Sequence, residues 1–265
     1  MAKDDVSLAR KRLPQVVEHV SGSARVLVPL GSTEQHGPHA PFGTDTILAT
    51  ELCNRIAGRV DALVAPAIPY GLSGDHEGFC GVPFLSVSTF SGIVRDLSAS
   101  FSNAGMREII FVNGHYTNVL AVQAALLEVT DVVPRGTLVY GFNYWDPLPA
   151  AQLDEFLSNR VGLHANIGET AALMAVDPSL VALEAAVAEY PNFPVEMTQP
   201  MVAAFFLSGK GRTFRATKSG VWGDPREATV ELGHMYFDQL ERACVSFIHG
   251  VTQTFEAFPE RTQDL

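Results

Sequence analysis

RVLVPLGSTEQHGPHAPFGTDTILATELCNRIAGRV, residues 25–60, reads as one strand, one long polar loop and one helix. The strand signal is the β-branched and Leu run that closes at Gly31. The helix signal is the apolar spacing after Asp45, with Gly58 near its end. The same unit recurs along the chain. DALVAPAIPYG (61–71) predicts a second strand closed by Pro and Gly, and FSGIVRDLSASFSNAG (90–105) a helix with Gly105 at its C-terminal turn. REIIFVNG (107–114) is apolar nearly throughout, as a central strand buried on both faces requires. A helix over 118–130 and a fourth strand, GTLVYGFNYWD (136–146), follow. Helices are expected over 148–157, 167–176 and 226–255, and residues 190–222 read as a loop-rich cap. Apolar strands alternating with helices predict an α/β fold with a mostly parallel central sheet covered on both faces. No linker-like run divides the chain, so residues 1–265 read as a single domain.

Composition excludes several classes. The 265 residues carry a formal charge of −11, which disfavours nucleic acid and acidic membrane surfaces as partners. At 47% hydrophobic the chain is not disordered. No apolar run reaches membrane-spanning length, and the N-terminal MAKDDVSLARKRL has no secretory h-region. The three cysteines lack C-x-x-C spacing and read as reduced thiols, so a cytoplasmic location is expected. Dinucleotide, P-loop, G-x-S-x-G and H-E-x-x-H signatures are all missing, and SGKGRTF (208–214) matches no phosphate loop.

In an open parallel sheet, ligands bind beyond the carboxyl ends of the strands. The segments in those places are rich in imidazole and carboxylate. The first holds Glu34, His36, His39 and Asp45, the second Ser73, Asp75, His76 and Glu77, and the third His115 and Tyr116. Mixed imidazole and carboxylate donors suit Zn, Mn or Fe, whereas Mg and Ca prefer oxygen alone. Glu34 and His36 point the same way along an extended segment. Asp45 has two oxygens with which to bridge two metals, or else caps the helix it opens. Glu169 lies in the first turn of a helix, a place that also suits a carboxylate through the helix dipole. His164, just before that helix, is placed to act as a general acid or base.

The segments LGSTEQHGPHAPFGTDT, VNGHYTN, HANIGET and GVWGDPREATVELG together resemble the creatininase family of metal-dependent amidohydrolases, over nearly the whole chain. The resemblance implies a three-layer α/β/α sandwich, two divalent metal ions (Zn, Mn or Fe) and a homohexamer. It implies that Glu34 and His115 bind one metal, that His36 binds the other and that Asp45 bridges them. Creatininase proper reads N-G-H-Y-E-N, with its Glu on the second metal. Thr117 stands there in this chain, and Glu169 is the implied substitute. His164 aligns with the catalytic His of the family. Tyr116 is creatininase-like and is expected to act at the substrate, with Ser73, His76 and Trp145 also contributing to the pocket; Trp222 is a second candidate for its wall. The Trp-Asp that precedes the catalytic His in creatininase is missing, the corresponding stretch here being Arg160 to Leu163, and Arg160 would bring positive charge near the cleft. The implied reaction is attack of metal-activated water on a small, cyclic amide such as a lactam or creatinine-like compound. The alternative is a metallopeptidase or formamide hydrolase acting on a peptide-derived or cofactor-precursor substrate.

Overall fold

Glu108–Asn113 (β3) is buried at all six positions and forms an inner strand of a four-stranded parallel sheet. The structure is a computed structural model that describes residues 6–258. The first five residues, where the reading of the N-terminal end begins, and the last seven, which the expected domain includes, lie outside the described residues. The sheet order is β2-β1-β3-β4, with β1 at Arg25–Leu30, β2 at Ala62–Val64 and β4 at Leu138–Asn143. Leu30 pairs with Asn113, and Asn113 with Asn143, so these strands finish on one edge. β2 is shorter than its sequence signal because Pro66 and Pro69 offer no N–H to a ladder.

Alternation along β3 divides the interior in two. Ile110 and Val112 pack with Leu27 and Phe142 against α2 (Thr44–Ala57), α6 (Ile167–Val176) and α9 (Val230–Ala257). Ile109 and Phe111 pack with Val26 and Val28 against α3 (Val87–Asn103) and α4 (Val119–Val129) on the other face. This is the three-layer α/β/α sandwich. Each fully buried Ile or Phe on β3 contributes on the order of 1.5–3 kcal/mol.

Several elements escaped the sequence pattern. The helix α1 (Leu13–Ser21) buries none of its residues fully and leaves Leu13 and Val17 exposed. Gly162–His164 (β5) and Trp222–Gly223 (β6) form a small antiparallel ribbon. It is too short for periodicity, and Gly162 and Gly223 both take positive φ. The expected cap is partly helical, with α7 at Gln199–Leu207 and α8 at Arg212–Ala216. The helix expected over 148–157 is α5 at Ala150–Phe156.

Close backbone approaches press α2 against the strand ends. A Cβ on Gly31 would lie 2.5 Å from Thr46 Cα, and one on Gly114 would lie 2.7 Å from the Asp45 carbonyl oxygen. On the far side of α2's layer, Gly233 lets α9 meet α6, since a Cβ there would come within 1.9 Å of the Ala171 carbonyl oxygen. Gly233→Ala therefore sets a helix-propensity gain of about 1 kcal/mol against an overpacking cost of about 1–3 kcal/mol. The expected outcome is a lower urea midpoint with an unchanged slope, equivalent to as much as about 2 kcal/mol of lost stability.

Candidate active site

Beyond β1, Glu34 and His36 both bring their side chains to the imidazole–carboxylate cluster, while the Gln35 amide reaches the His76 ring. Asp45 follows at the second position of α2 and makes no side-chain cap with the helix. Its carboxylate turns instead to two imidazoles: Oδ1 lies 3.1 Å from His36 Nε2, and Oδ2 lies 3.1 Å from His115 Nδ1. His115 Nδ1 is also 3.2 Å from Glu34 Oε2. Despite these short distances, Glu34 Oε2, Asp45 Oδ2 and His36 Nε2 are buried without a hydrogen-bond partner. The atoms converge on common points more than they pair with each other. Two donor sets result, Glu34/Asp45/His115 and His36/Asp45/Glu169, and Asp45 belongs to both; Glu34, His36 and His164 form a third grouping. Within each set the ligand atoms lie within 4.8 Å of one another. Buried, converging carboxylate and imidazole atoms with open lone pairs fit divalent transition metals.

The far side of each ring is tied down. His36 Nδ1 faces the Glu34 carbonyl oxygen at 3.3 Å, His164 Nε2 the Gln35 carbonyl oxygen at 2.7 Å, and His115 Nε2 the Thr117 hydroxyl at 2.6 Å. Donation from those nitrogens leaves His36 Nε2, His164 Nδ1 and His115 Nδ1 to face the centre. His76 is the opposite. Gln35 Oε1 accepts from Gly37 N, so Gln35 Nε2 donates to His76 Nδ1 at 2.9 Å. His76 Nε2 then presents its proton to Asp75 Oδ2 at 3.3 Å and Glu34 Oε1 at 3.4 Å. Asn166 caps α6 by accepting from Glu169 N, while Ala165 N donates to Glu169 Oε2 at 2.7 Å. That bond holds Ala165 at φ +50°, a left-handed conformation beside the site.

Burial and charge shape protonation together. Burial opposes ionisation of Glu34, but the charges of His115 and His76 outweigh it and hold the carboxyl at about 2. Asp45 is likewise held down, by His36 and His115 against its burial. Burial disfavours a charged His36, yet Asp45 lifts it to about 9, and His115 is raised well above its ordinary range by Glu34 and Asp45. Glu169 is pushed up to about 7, chiefly by burial. Burial, then the charges of His36 and His76, push His164 well below the usual imidazole range, so it is neutral.

The centre opens into a cavity of about 310 Å³. Glu34, Asp45, His115, His164 and Glu169 form its floor. Trp145, Tyr116, Phe206 and Val202 stand among its walls, with His76 and Asp146 also bordering it. Some expected pocket residues lie elsewhere. Ser73 is fully buried, its hydroxyl bonded to Ser32, and it does not border the cavity. Trp222 is buried in β6, stacked on Phe206 at 5.3 Å between ring centroids, so of the two tryptophans only Trp145 lines the space. Arg160 is exposed and paired with Asp154 at 2.8 Å, and it brings no charge to the cavity. His39 bonds Thr170 Oγ1 at 2.9 Å behind Glu169. Sequence reading passed over Gln35 and Asn118. Asn118 donates to Gly31 O and Asn113 Oδ1 and accepts from Leu72 N, which joins three loops. The available signal for Gln35 was its place between Glu34 and His36, two expected metal ligands.

A family model described as creatininase, creatinine amidohydrolase, matches residues 9–248. The chain belongs to the creatininase family. It is a hydrolase, as its named relatives are. The mycofactocin precursor peptide peptidase of Mycolicibacterium smegmatis is 31% identical over 84% of this chain and 83% of its own. The creatinine amidohydrolase of Pseudomonas putida is 32% identical over 68% of this chain and 76% of its own. A solved structure described as creatininase Mn superposes with a TM-score of 0.76 at 26% identity, covering 96% of this chain and 99% of that one. Another creatininase structure is described as a Zn-Zn type. Among the described residues, no helix is long and apolar enough to cross a membrane.

The raised pKa of His36 fixes a sign. Between the ordinary value of 6.5 and about 9, the folded metal-free chain binds a proton that the unfolded chain has lost. The shift of His115 has the same direction. In chelator, the melting temperature is expected to fall as pH rises from 6.5 towards 9. Zn²⁺ takes deprotonated ligands, so its stabilising effect should grow over the same interval. Thermal melts with and without zinc across this range check both.

Proposed function

We propose that this protein is a two-metal amidohydrolase that cleaves a C–N bond of a small amide. The observation that carries the reading is the pair of donor sets sharing Asp45, placed at the floor of a cavity beside a neutral histidine. Glu34 and His115 would hold one divalent ion, His36 and Glu169 the other, and Asp45 both. Zinc and manganese, named for the family's solved structures, suit these donors, and iron is chemically compatible. Bound there, the ions supply acidified water and polarise the substrate carbonyl.

The chain's own groups do the rest. His164 Nδ1 faces the centre, 3.6 Å from Glu34 Oε1, and its Nε2–H is anchored to Gln35 O. In this role it takes the proton from attacking water and delivers it to the leaving nitrogen. Its ring is held between His36 and His76, with centroids 4.3 and 4.6 Å away, which limits its rotation. Trp145, Tyr116 and Phe206 line the cavity with aromatic rings, and this favours a cyclic amide. The Tyr116 hydroxyl serves as a hydrogen-bond donor to substrate, and His76 presents an N–H beside the same floor. A second reading, hydrolysis of a peptide-derived substrate, is favoured by a neighbouring groove of about 320 Å³. It is lined by Leu72, Phe84, Leu85 and Leu120 and shares Asp75, Thr117 and Phe206 with the cavity. By family resemblance the proposal extends to one catalytic domain, a homohexamer and a cytoplasmic location; light scattering of the purified protein checks the assembly.

The test is hydrolysis of a panel of lactams, hydantoins, creatinine, N-formyl amines and dipeptides by metal-replete enzyme. The expected result is turnover of one class, abolished by chelation and restored by Zn²⁺ or Mn²⁺. His164→Ala should lower kcat by about 10²–10⁴-fold at unchanged metal content. A fully metallated protein that hydrolyses no amide contradicts the reading.

A further inference from the structure

We infer that Thr117 is a positioning residue: its hydroxyl selects the His115 tautomer that leaves Nδ1 open to a divalent ion, and it locks that ring to the loop bearing Leu72. The inference rests on the two-metal reading above.

Thr117 is buried in the short turn that follows β3. Its Oγ1 lies 3.0 Å from the Leu72 carbonyl oxygen and 2.6 Å from His115 Nε2. A hydroxyl carries one proton and two lone pairs. The carbonyl oxygen can only accept, so the Thr117 proton goes to Leu72. The short contact on the other side is then made by a proton on His115 Nε2, which the hydroxyl accepts. In the neutral ring, that leaves Nδ1 as the bare nitrogen. Nδ1 is the atom that stands 3.2 Å from Glu34 Oε2 and 3.1 Å from Asp45 Oδ2. With its hydroxyl committed on both sides, Thr117 is not a metal ligand, although it occupies the position where N-G-H-Y-E-N carries Glu. It acts on the site through His115.

The neighbouring residue strengthens the lock. Asn118 Oδ1 accepts from Leu72 N at 2.9 Å, so both backbone polar groups of Leu72 are held by the turn after β3. Leu72 immediately precedes the turn Ser73–His76, which supplies Asp75 and His76 to the cavity. The orientation of His115 and the position of that wall are thus fixed by one pair of adjacent side chains.

The experiment compares wild type, Thr117→Val and Thr117→Ser. Zn²⁺ affinity is measured by competition with a chelating dye, and the His115 tautomer by long-range ¹H–¹⁵N correlation in the zinc-loaded protein. Wild type is expected to show one tautomer, protonated at Nε2. Thr117→Val keeps the shape and removes the hydroxyl. It should weaken one of the two zinc sites by about 10- to 100-fold and lose the single-tautomer signature. Thr117→Ser should restore both, and it keeps the proposal testable should the valine variant fail to fold. A valine variant that binds both ions as wild type does, or a serine variant as poor as valine, overturns the assignment. Wild-type protein that takes up no zinc overturns the two-metal reading itself, and this assignment with it.

Discussion

Glu34, Asp45 and Glu169 are buried within reach of His36, His115 and His164, and that concentration of buried charge is the constraint on which the rest of the site depends. Carboxylates removed from water cost several kcal/mol each unless a counter-charge and hydrogen bonds compensate them. With protons as the only cations, the cluster reaches a partial compromise. His36 and His115 are held protonated against Asp45 and Glu34, while Glu169 drifts up to about 7. Oxygen and nitrogen atoms remain buried without partners. Divalent ions would resolve this more completely, because each would bring two positive charges to the buried carboxylates and accept the lone pairs of the orphaned atoms.

The scaffold delivers these atoms through backbone geometry. Parallel pairing brings the ends of β1, β3 and β4 to one edge. Gly31 and Gly114 let the first turn of α2 press into that edge, which is how Asp45 comes to meet both His36 and His115. Amides then orient the rings: Gln35 reaches His76 and, through its carbonyl, His164, while Asn118 fastens three loops. A hydrogen bond to the outward nitrogen of each of His36, His115 and His164 decides which nitrogen looks inward.

The parallel sheet was legible because the strand signals, three of the four closing at Gly, alternated with helical periods. Glu34, His36, Asp45 and His115 were legible for the same reason, since residues after parallel strands share an edge. The ribbon of β5 and β6 was not, its strands being three and two residues long with glycines at positive φ. Gln35 and Asn118 were missed because an amide's role depends on what the tertiary structure places around it. Arg160 and Ser73 failed in the opposite way. Their sequence neighbourhood is right, but Arg160 turns outward to Asp154 and Ser73 inward to Ser32. With Arg160 gone from the cavity, no Lys or Arg among the described residues borders it, and an apolar, aromatic wall faces the carboxylates and imidazoles. That lining suits a neutral, ring-like amide better than an anion, and leaves recognition of the carbonyl to the floor.

Anomalous X-ray diffraction from crystals of the zinc-loaded protein tests the central claim most directly. The account predicts two zinc peaks per chain, one among Glu34, Asp45 and His115 and the other among His36, Asp45 and Glu169, with Asp45 touching both. A single peak, or zinc bound only elsewhere with Glu169 turned away, contradicts it.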